Sequence, residues 1–152
     1  MKDTSFKSVQ YEGIKIRIPG SWFSETETYE EADGSTSYSL NLCGRGRDAR
    51  CINISVGMIP EGSDAHIEAS RAYEEVVSEE DLAINEEPII CFEFQKKEAF
   101  GFNVWTEEGV PCFFFCYSIP GGNQLVTVLV SALSNEELQS LVDFVEEYLS
   151  VE

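Results

Sequence analysis

Basic side chains are scarce in this chain of 152 residues: 10 lysines and arginines stand against 28 aspartates and glutamates, a net charge of -18 at pH 7. A surface of that sign repels phosphate, and nucleic-acid binding depends on Lys and Arg displacing counterions, so DNA and RNA are poor partners. An anionic membrane surface is disfavoured on the same ground. Histidine is scarcer still: His66 alone would have to carry acid–base chemistry near neutral pH. It falls in the first turn of a predicted helix, beside Asp64 and Ser63. Neighbours within one turn do not converge as the nucleophile, base and acid of a hydrolytic triad, so His66 is expected on the surface and no catalytic residue is assigned.

Long apolar runs are also missing. Nothing approaches the roughly 18 residues of a membrane helix, and "MKDTSFKSVQYEG" at the start lacks a signal-peptide core. A cytoplasmic location is the expectation. The two-residue cysteine spacings of zinc sites, the Walker lysine pattern and the alternating acidic calcium loop are all absent, so neither metal nor cofactor is expected. The five cysteines are Cys43, Cys51, Cys91, Cys112 and Cys116. An odd number without a signal peptide argues against a disulfide framework. Cys112 and Cys116 lie in one predicted strand, about 13 Å apart, too far for a shared metal or bridge. Cys43 and Cys51 flank a loop and can face each other across a hairpin, and free thiols are expected there.

What is present is core material. The chain is 43% hydrophobic and 12% aromatic, and a chain of this size buries about 68–70% of its unfolded surface. With no repeats and no Pro/Gly-rich linker, residues 1–152 are expected to form a single domain. "YEGIKIRIPGSW" alternates, with Ile14, Ile16 and Ile18 facing one way, and ends at Pro19-Gly20. "TETYEEADGSTSYSLNL" is expected to form two strands around Asp33-Gly34, and "CINISVGMIP" a further strand with Ile52, Ile54 and Val56 on one face. In "SDAHIEASRAYEEVVSEEDL" the period becomes helical, through Ile67, Ala69, Ala72, Tyr73, Val76 and Val77, with Ser63 as N-cap and fraying in the acidic "SEED" run.

After Pro88 come "IICFEFQKKEA", "FGFNVWTEE", "VPCFFFCYSI" and "QLVTVLVSAL", joined by "TEEGV" and "IPGGNQ", hence expected as antiparallel neighbours. "CFFFCY" and "LVTVLV" are apolar on both faces, which predicts a sheet covered on both sides over its centre. "SNEELQSLVDFVEEYLS" closes the chain as a helix. Ser134 and Glu137 stand in capping-box spacing, Leu138, Leu141, Val142, Val145, Tyr148 and Leu149 form the apolar stripe, and Gln139, Asp143, Glu146 and Glu147 lie opposite.

This order of elements resembles the Mog1/PsbP-like superfamily over most of the chain, most specifically at "GIKIRIPGSW" and at "LVTVLVSALSNEELQSLVDFVEEYL". The resemblance implies an α+β fold, a single central antiparallel β-sheet with helices packed on both faces. Functions diverge within that group, which includes a small-GTPase-binding protein and photosystem subunits. It offers no shared catalytic motif to carry over, and fold alone does not give function.

The stretch "LCGRGRDARC" gathers Arg45, Arg47 and Arg50 between two strands, with Gly44 and Gly46 free to take positive φ. A phosphate cradle needs amides at a helix N-terminus, and here a strand follows. An arginine patch that meets carboxylates, on this chain or on a partner, fits better. The adjacent acid pairs, such as Glu74-Glu75 and Glu146-Glu147, sit on wet faces or in loops rather than across a pocket. Trp22, Trp105 and Phe113-Phe114-Phe115 are expected mainly in the core, while "PIICFEFQKKEAFGFNVW" is aromatic enough to leave an exposed patch.

The function expected from these features is a small, acidic, non-catalytic protein-interaction module, immunity-like in masking a basic partner. Arg45, Arg47, Arg50 and Trp105 are its candidate interaction residues. The alternatives are an enzyme or small-ligand binder with a pocket between sheet and helix, and a domain that assembles through a sheet edge, a homodimer being one form.

Overall fold

The computed structural model describes residues 5–32, 34–78, 83–84, 89–106, 108–119 and 123–151. Asp33 of the first predicted hairpin, most of the "SEED" run, Pro88, Glu107 and residues 120–122 lie outside them.

The chain opens with a hairpin of β1 (Phe6–Tyr11) and β2 (Ile14–Pro19), followed by β3 (Phe23–Glu30), β4 (Thr36–Cys43), β5 (Cys51–Met58) and α1 (Ala65–Ser78). Next come β6 (Ala83–Ile84), β7 (Ile90–Phe94), β8 (Lys97–Trp105), β9 (Pro111–Ser118), β10 (Gln124–Ser131), α2 (Asn135–Tyr148) and β11 (Ser150–Val151). Every described strand pairing is antiparallel.

These strands form two sheets, which corrects the expectation of a single one. The larger has eight strands in the order β3-β4-β5-β10-β9-β8, with β6 and β7 both along the far side of β8. The smaller has three, β1-β2-β11. The separation follows from β2: Ile14, Ile16 and Ile18 are fully buried, so its apolar face must pack on another layer rather than extend the larger sheet. The strand β1 carries no alternation of its own and is mostly exposed. It was not foreseen, because an edge strand held by pairing alone leaves little mark in the pattern.

The main core joins Ile14, Ile16, Ile18 and Trp22 to Leu40, Leu42, Ile52, Ile54 and Val56, to Phe115, Val126, Val128 and Val130, and to Leu138, Leu141, Val145 and Leu149 of the last helix. The cover over this face of the larger sheet is therefore α2 together with the second sheet, not a helix alone. Helix α1 packs on the neighbouring residues of the alternation: Ala65 and Ala69 meet Cys116 and Phe114, while Ala72, Tyr73 and Val76 meet Phe102, Val104 and Cys112. It reaches β8 and β9 but does not cover the whole sheet, and Leu129 of β10 stays 39% exposed. Further along that side β4 and β5 present Ser39, Asn41, Asn53 and Ser55, linked by side-chain hydrogen bonds of 2.6–3.3 Å. A polar ladder tolerates water, so no cover is required there.

Three local expectations are also corrected. Asp64, not Ser63, caps α1: the Ile67 amide donates to Asp64 Oδ1 at 2.8 Å, while the Ser63 hydroxyl donates to Glu68 at 2.5 Å. Ile67 is exposed, because the buried face runs through residues 65, 69, 72, 73 and 76 and residue 67 points elsewhere on the 3.6-residue period. The break between β7 and β8 falls at Gln95-Lys96, not near residue 99. Both residues have positive φ, 51° and 65°, and Phe94 pairs with Lys97, the arrangement of a two-residue type I′ turn. That turn normally asks for Asn-Gly, so Gln-Lys gave no signal.

Tertiary contacts hold the turn. The Gln95 amide donates to the Glu146 carboxylate at 2.8 Å, and its side-chain nitrogen donates to the carbonyls of Glu146 at 2.8 Å and Leu149 at 2.7 Å. These are C-terminal carbonyls of α2 that a helix leaves unsatisfied. At the other end Ser134 is the N-cap, accepting from the Glu137 amide at 3.2 Å, while Glu137 reaches back to the Leu133 amide at 3.3 Å.

Gln95 and Lys96 should respond in opposite directions to glycine. Left-handed backbone costs a non-glycine residue roughly 1–2 kcal/mol, more than the added chain entropy of glycine. Lys96→Gly is therefore expected to raise the unfolding free energy by about 0.5 kcal/mol. Gln95→Gly relieves the same strain but removes two side-chain bonds to the helix, each worth about 1 kcal/mol plus the desolvation of stranded carbonyls, and should lower it by about 1–2 kcal/mol. Urea titration of the two variants checks both signs.

Candidate interaction surface

Gln95 ties the β7–β8 turn to the C-terminal end of α2. Toward the N-terminal end of α2 the sheet and the helix leave a groove of about 510 Å³. Its walls are Ile90 and Phe92 of β7, Asn103 and Trp105 of β8, Phe113 of β9, and Asn135, Leu138, Gln139 and Val142 of α2. Strand register sets the floor: Asn103 lies opposite Phe113 and Trp105 opposite Pro111. Phe92 packs against Phe113 and Phe115 with ring centroids 5.7 and 5.4 Å apart, which fixes the aromatic wall.

Among the described residues, no side chain lining the groove is titratable. Its polar groups are the carboxamides of Asn103, Asn135 and Gln139, each offering a donor and an acceptor. Carboxylates stand around it on α2, where the Gln139 amide nitrogen donates to Asp143 at 3.2 Å and Glu136, Glu146 and Glu147 are exposed. An uncharged recess in an acidic exterior can accept apolar and hydrogen-bonding groups. Its described lining offers neither nucleophile nor general base.

Trp105 is thus placed in a groove wall. The arginines are not in it. Arg50 begins one row beyond β5, three strand spacings from β8, which is about 14 Å. Its guanidinium grips Asp48 through two bonds of 2.8 and 2.7 Å and lies 5.1 Å from the centre of the Trp22 ring. The Trp22 indole donates to the same carboxylate at 2.9 Å. Arg45 donates to the Ser21 carbonyl at 3.0 Å and stacks over Phe23. Only Arg47 is exposed with no hydrogen bond or ion pair among the described residues. The loop 44–50 is a brace between the β4–β5 hairpin and the residues that follow β2. Of its two glycines, Gly46 has positive φ (63°), while Gly44 is required for closeness, since an added Cβ would sit 2.6 Å from the Asp48 carbonyl oxygen.

His66 is exposed and rests on Phe100, ring centroids 4.9 Å apart. Cys116 is buried and its thiol donates to the Ala65 carbonyl at 3.2 Å, with burial pushing its pKa up to about 12. Among the described residues no three His, Cys, Asp or Glu side chains come together as a metal site, and no helix is long and apolar enough to cross a membrane.

Sequence patterns located half of the groove. The aromatic excess of "PIICFEFQKKEAFGFNVW" pointed to Ile90, Phe92 and Trp105. Asn103 and Asn135 were not singled out, Leu138 and Val142 were placed on the apolar stripe of α2, and Gln139 was assigned to its open face. A helical wheel shows which residues lie off the apolar stripe, not which of them overhang a gap.

No family model matches the chain, and no curated protein matches its sequence. Among solved structures the chain is similar to the solution structure of cyanobacterial PsbP (CyanoP) from Synechocystis sp. PCC 6803. The two share 14% sequence identity with a TM-score of 0.60, over 97% of this chain and 92% of that one. At that identity the likeness is one of architecture: the chain has a PsbP-like fold.

The brace has a pH signature. Hydrogen bonds from Arg50 foremost, and from Trp22, outweigh partial burial and hold the Asp48 carboxyl at about 2, below its ordinary 3.8. A depressed carboxylate stabilises the folded state above its unfolded pKa, and that contribution disappears as pH falls through the folded one. The stability gap between the native protein and Asp48→Asn should therefore be constant above about pH 4 and close between pH 3.8 and about 2. Chemical denaturation at stepped pH measures it.

Proposed function

We propose that the protein is a non-catalytic binding module whose partner is a basic protein, seated by an apolar side chain in the groove beside Trp105 and steered there by the surrounding carboxylates. The observation that carries this is the contrast between the groove and its setting: among the described residues no titratable side chain lines it, on a chain of net charge -18. Apolar centres with polar rims are the usual anatomy of protein interfaces, and Trp is among the residues that most often dominate them. Masking of a basic partner, in the manner of an immunity protein, agrees with the charge.

The volume supports a second proposal. At about 510 Å³ the groove is within the roughly 300–1,000 Å³ of small-molecule sites, and its three carboxamides would orient a neutral ligand. Assembly through the β3 edge has less support. That strand carries Glu25, Glu27 and Glu30 and is almost wholly exposed, and like charges oppose edge-to-edge pairing.

Affinity capture from extract of the source cell, at low and high salt, tests the main proposal, with Trp105→Ala and Gln139→Arg as groove variants. Gln139 is exposed, so its replacement leaves the core intact. The expected result is a basic protein retained at low salt, released at high salt, and bound at least tenfold more weakly by both variants once purified. Equal binding by the variants, or recovery insensitive to salt, overturns it. Native mass spectrometry that finds a neutral small molecule lost on Trp105→Ala would establish the second proposal instead.

A further inference from the structure

Cys43 and Cys51 are direct partners across β4 and β5. The next pair along the ladder, Gly44 and Arg50, is hydrogen-bonded, the Gly44 amide donating to the Arg50 carbonyl at 2.9 Å. Antiparallel pairs alternate, so Cys43–Cys51 is a non-hydrogen-bonded pair, with Cα atoms about 4.5 Å apart and side chains on the same face. That separation lies inside the roughly 4.4–6.8 Å that a disulfide spans without backbone movement. Both thiols are free and half-buried. Cys112 lies on the same face but is separated from Cys51 by Ser131, which pairs with both, at about two strand spacings or 10 Å, beyond bridging distance.

We propose that Cys43 and Cys51 form a reversible dithiol site that closes to an intramolecular disulfide by exchange with a low-molecular-weight disulfide of the glutathione class. The Cys51 thiolate attacks one sulfur of the oxidised reagent and expels the other as a thiolate, giving a mixed disulfide on Cys51. Cys43 then gives up its proton and attacks the Cys51 sulfur, breaking the mixed disulfide and releasing the second thiol. One external disulfide is reduced to two thiols while two protein thiols are oxidised to one bridge. Burial, and then the neighbouring Cys51 sulfur, push the Cys43 thiol up, and exchange through either sulfur first ends in the same bridge. Closure would fasten the base of the 44–50 loop that holds Trp22 through Asp48.

The test uses folded Cys91→Ser protein, which removes the exposed thiol, treated with excess oxidised glutathione at mildly alkaline pH. Alkylation and peptide mass mapping follow. Two of the four remaining thiols should escape alkylation, with a linked Cys43–Cys51 peptide that a reductant separates. Adding Cys43→Ser should leave one glutathione on Cys51 and no link. The proposal fails if all four thiols stay alkylatable, if the link involves Cys112 or Cys116, or if the protein that also carries Cys43→Ser still forms a protein disulfide.

Discussion

The constraint on which the rest depends is the burial of β2 between the larger sheet and α2. Ile14, Ile16 and Ile18 leave no exposed surface, and each such side chain contributes about 1.5–3 kcal/mol relative to exposure. They can be buried only where the larger sheet offers Val126, Val128 and Val130 and the helix offers Leu138, Leu141 and Val145. The chain end reinforces this arrangement. Immediately after α2, β11 pairs with β2, Ser150 opposite Lys15. The last helix is therefore bound at its start by Ser134, along its length by the core, and at its end by Gln95 and β11. Its rigid seating lets the gap beside Trp105 persist instead of collapsing under the hydrophobic effect.

Half of the ten cations are engaged by rings and carbonyls of the fold. Arg45 and Arg50 stack on Phe23 and Trp22, Arg17 lies over Phe6 and Tyr148, Lys97 lies over Tyr117, and Lys7 donates to the Trp22 carbonyl. A cation over an aromatic face keeps its charge while its stem covers apolar surface. With 28 acids against 10 bases, an approaching molecule meets carboxylates far more often than bases.

The layering was legible in sequence where one face of an element is dry. The alternation of Ile14–Ile18, the two-faced apolar runs of β9 and β10, and the stripe and cap of α2 all led to the observed elements and to a PsbP-like fold. What stayed hidden depends on contacts distant in sequence. The second sheet is completed by β11, which returns to β2 from the far end of the chain. The Gln95-Lys96 turn is held by a helix about fifty residues away, and the arginine loop is organised by Trp22. The groove was half visible for the same reason: its aromatic wall is a local excess, but its carboxamide rim is set by where α2 stands.

A neutral groove in a negative field separates two properties that a single charged site would merge. In the proposed role the field acts over roughly a Debye length, about 8 Å at physiological ionic strength, and sets how often a basic partner arrives. The groove acts at contact and governs how long it stays. Had a carboxylate lined the groove, docking an apolar group would have stripped water from a charge, a penalty of several kcal/mol unless a cation arrived in register. Carboxamides avoid that penalty, since an occupant can replace their water bonds one for one. In the proposed role, steering and seating are thus carried by different residues, the acids around α2 and the walls beside Trp105, and each can change without abolishing the other.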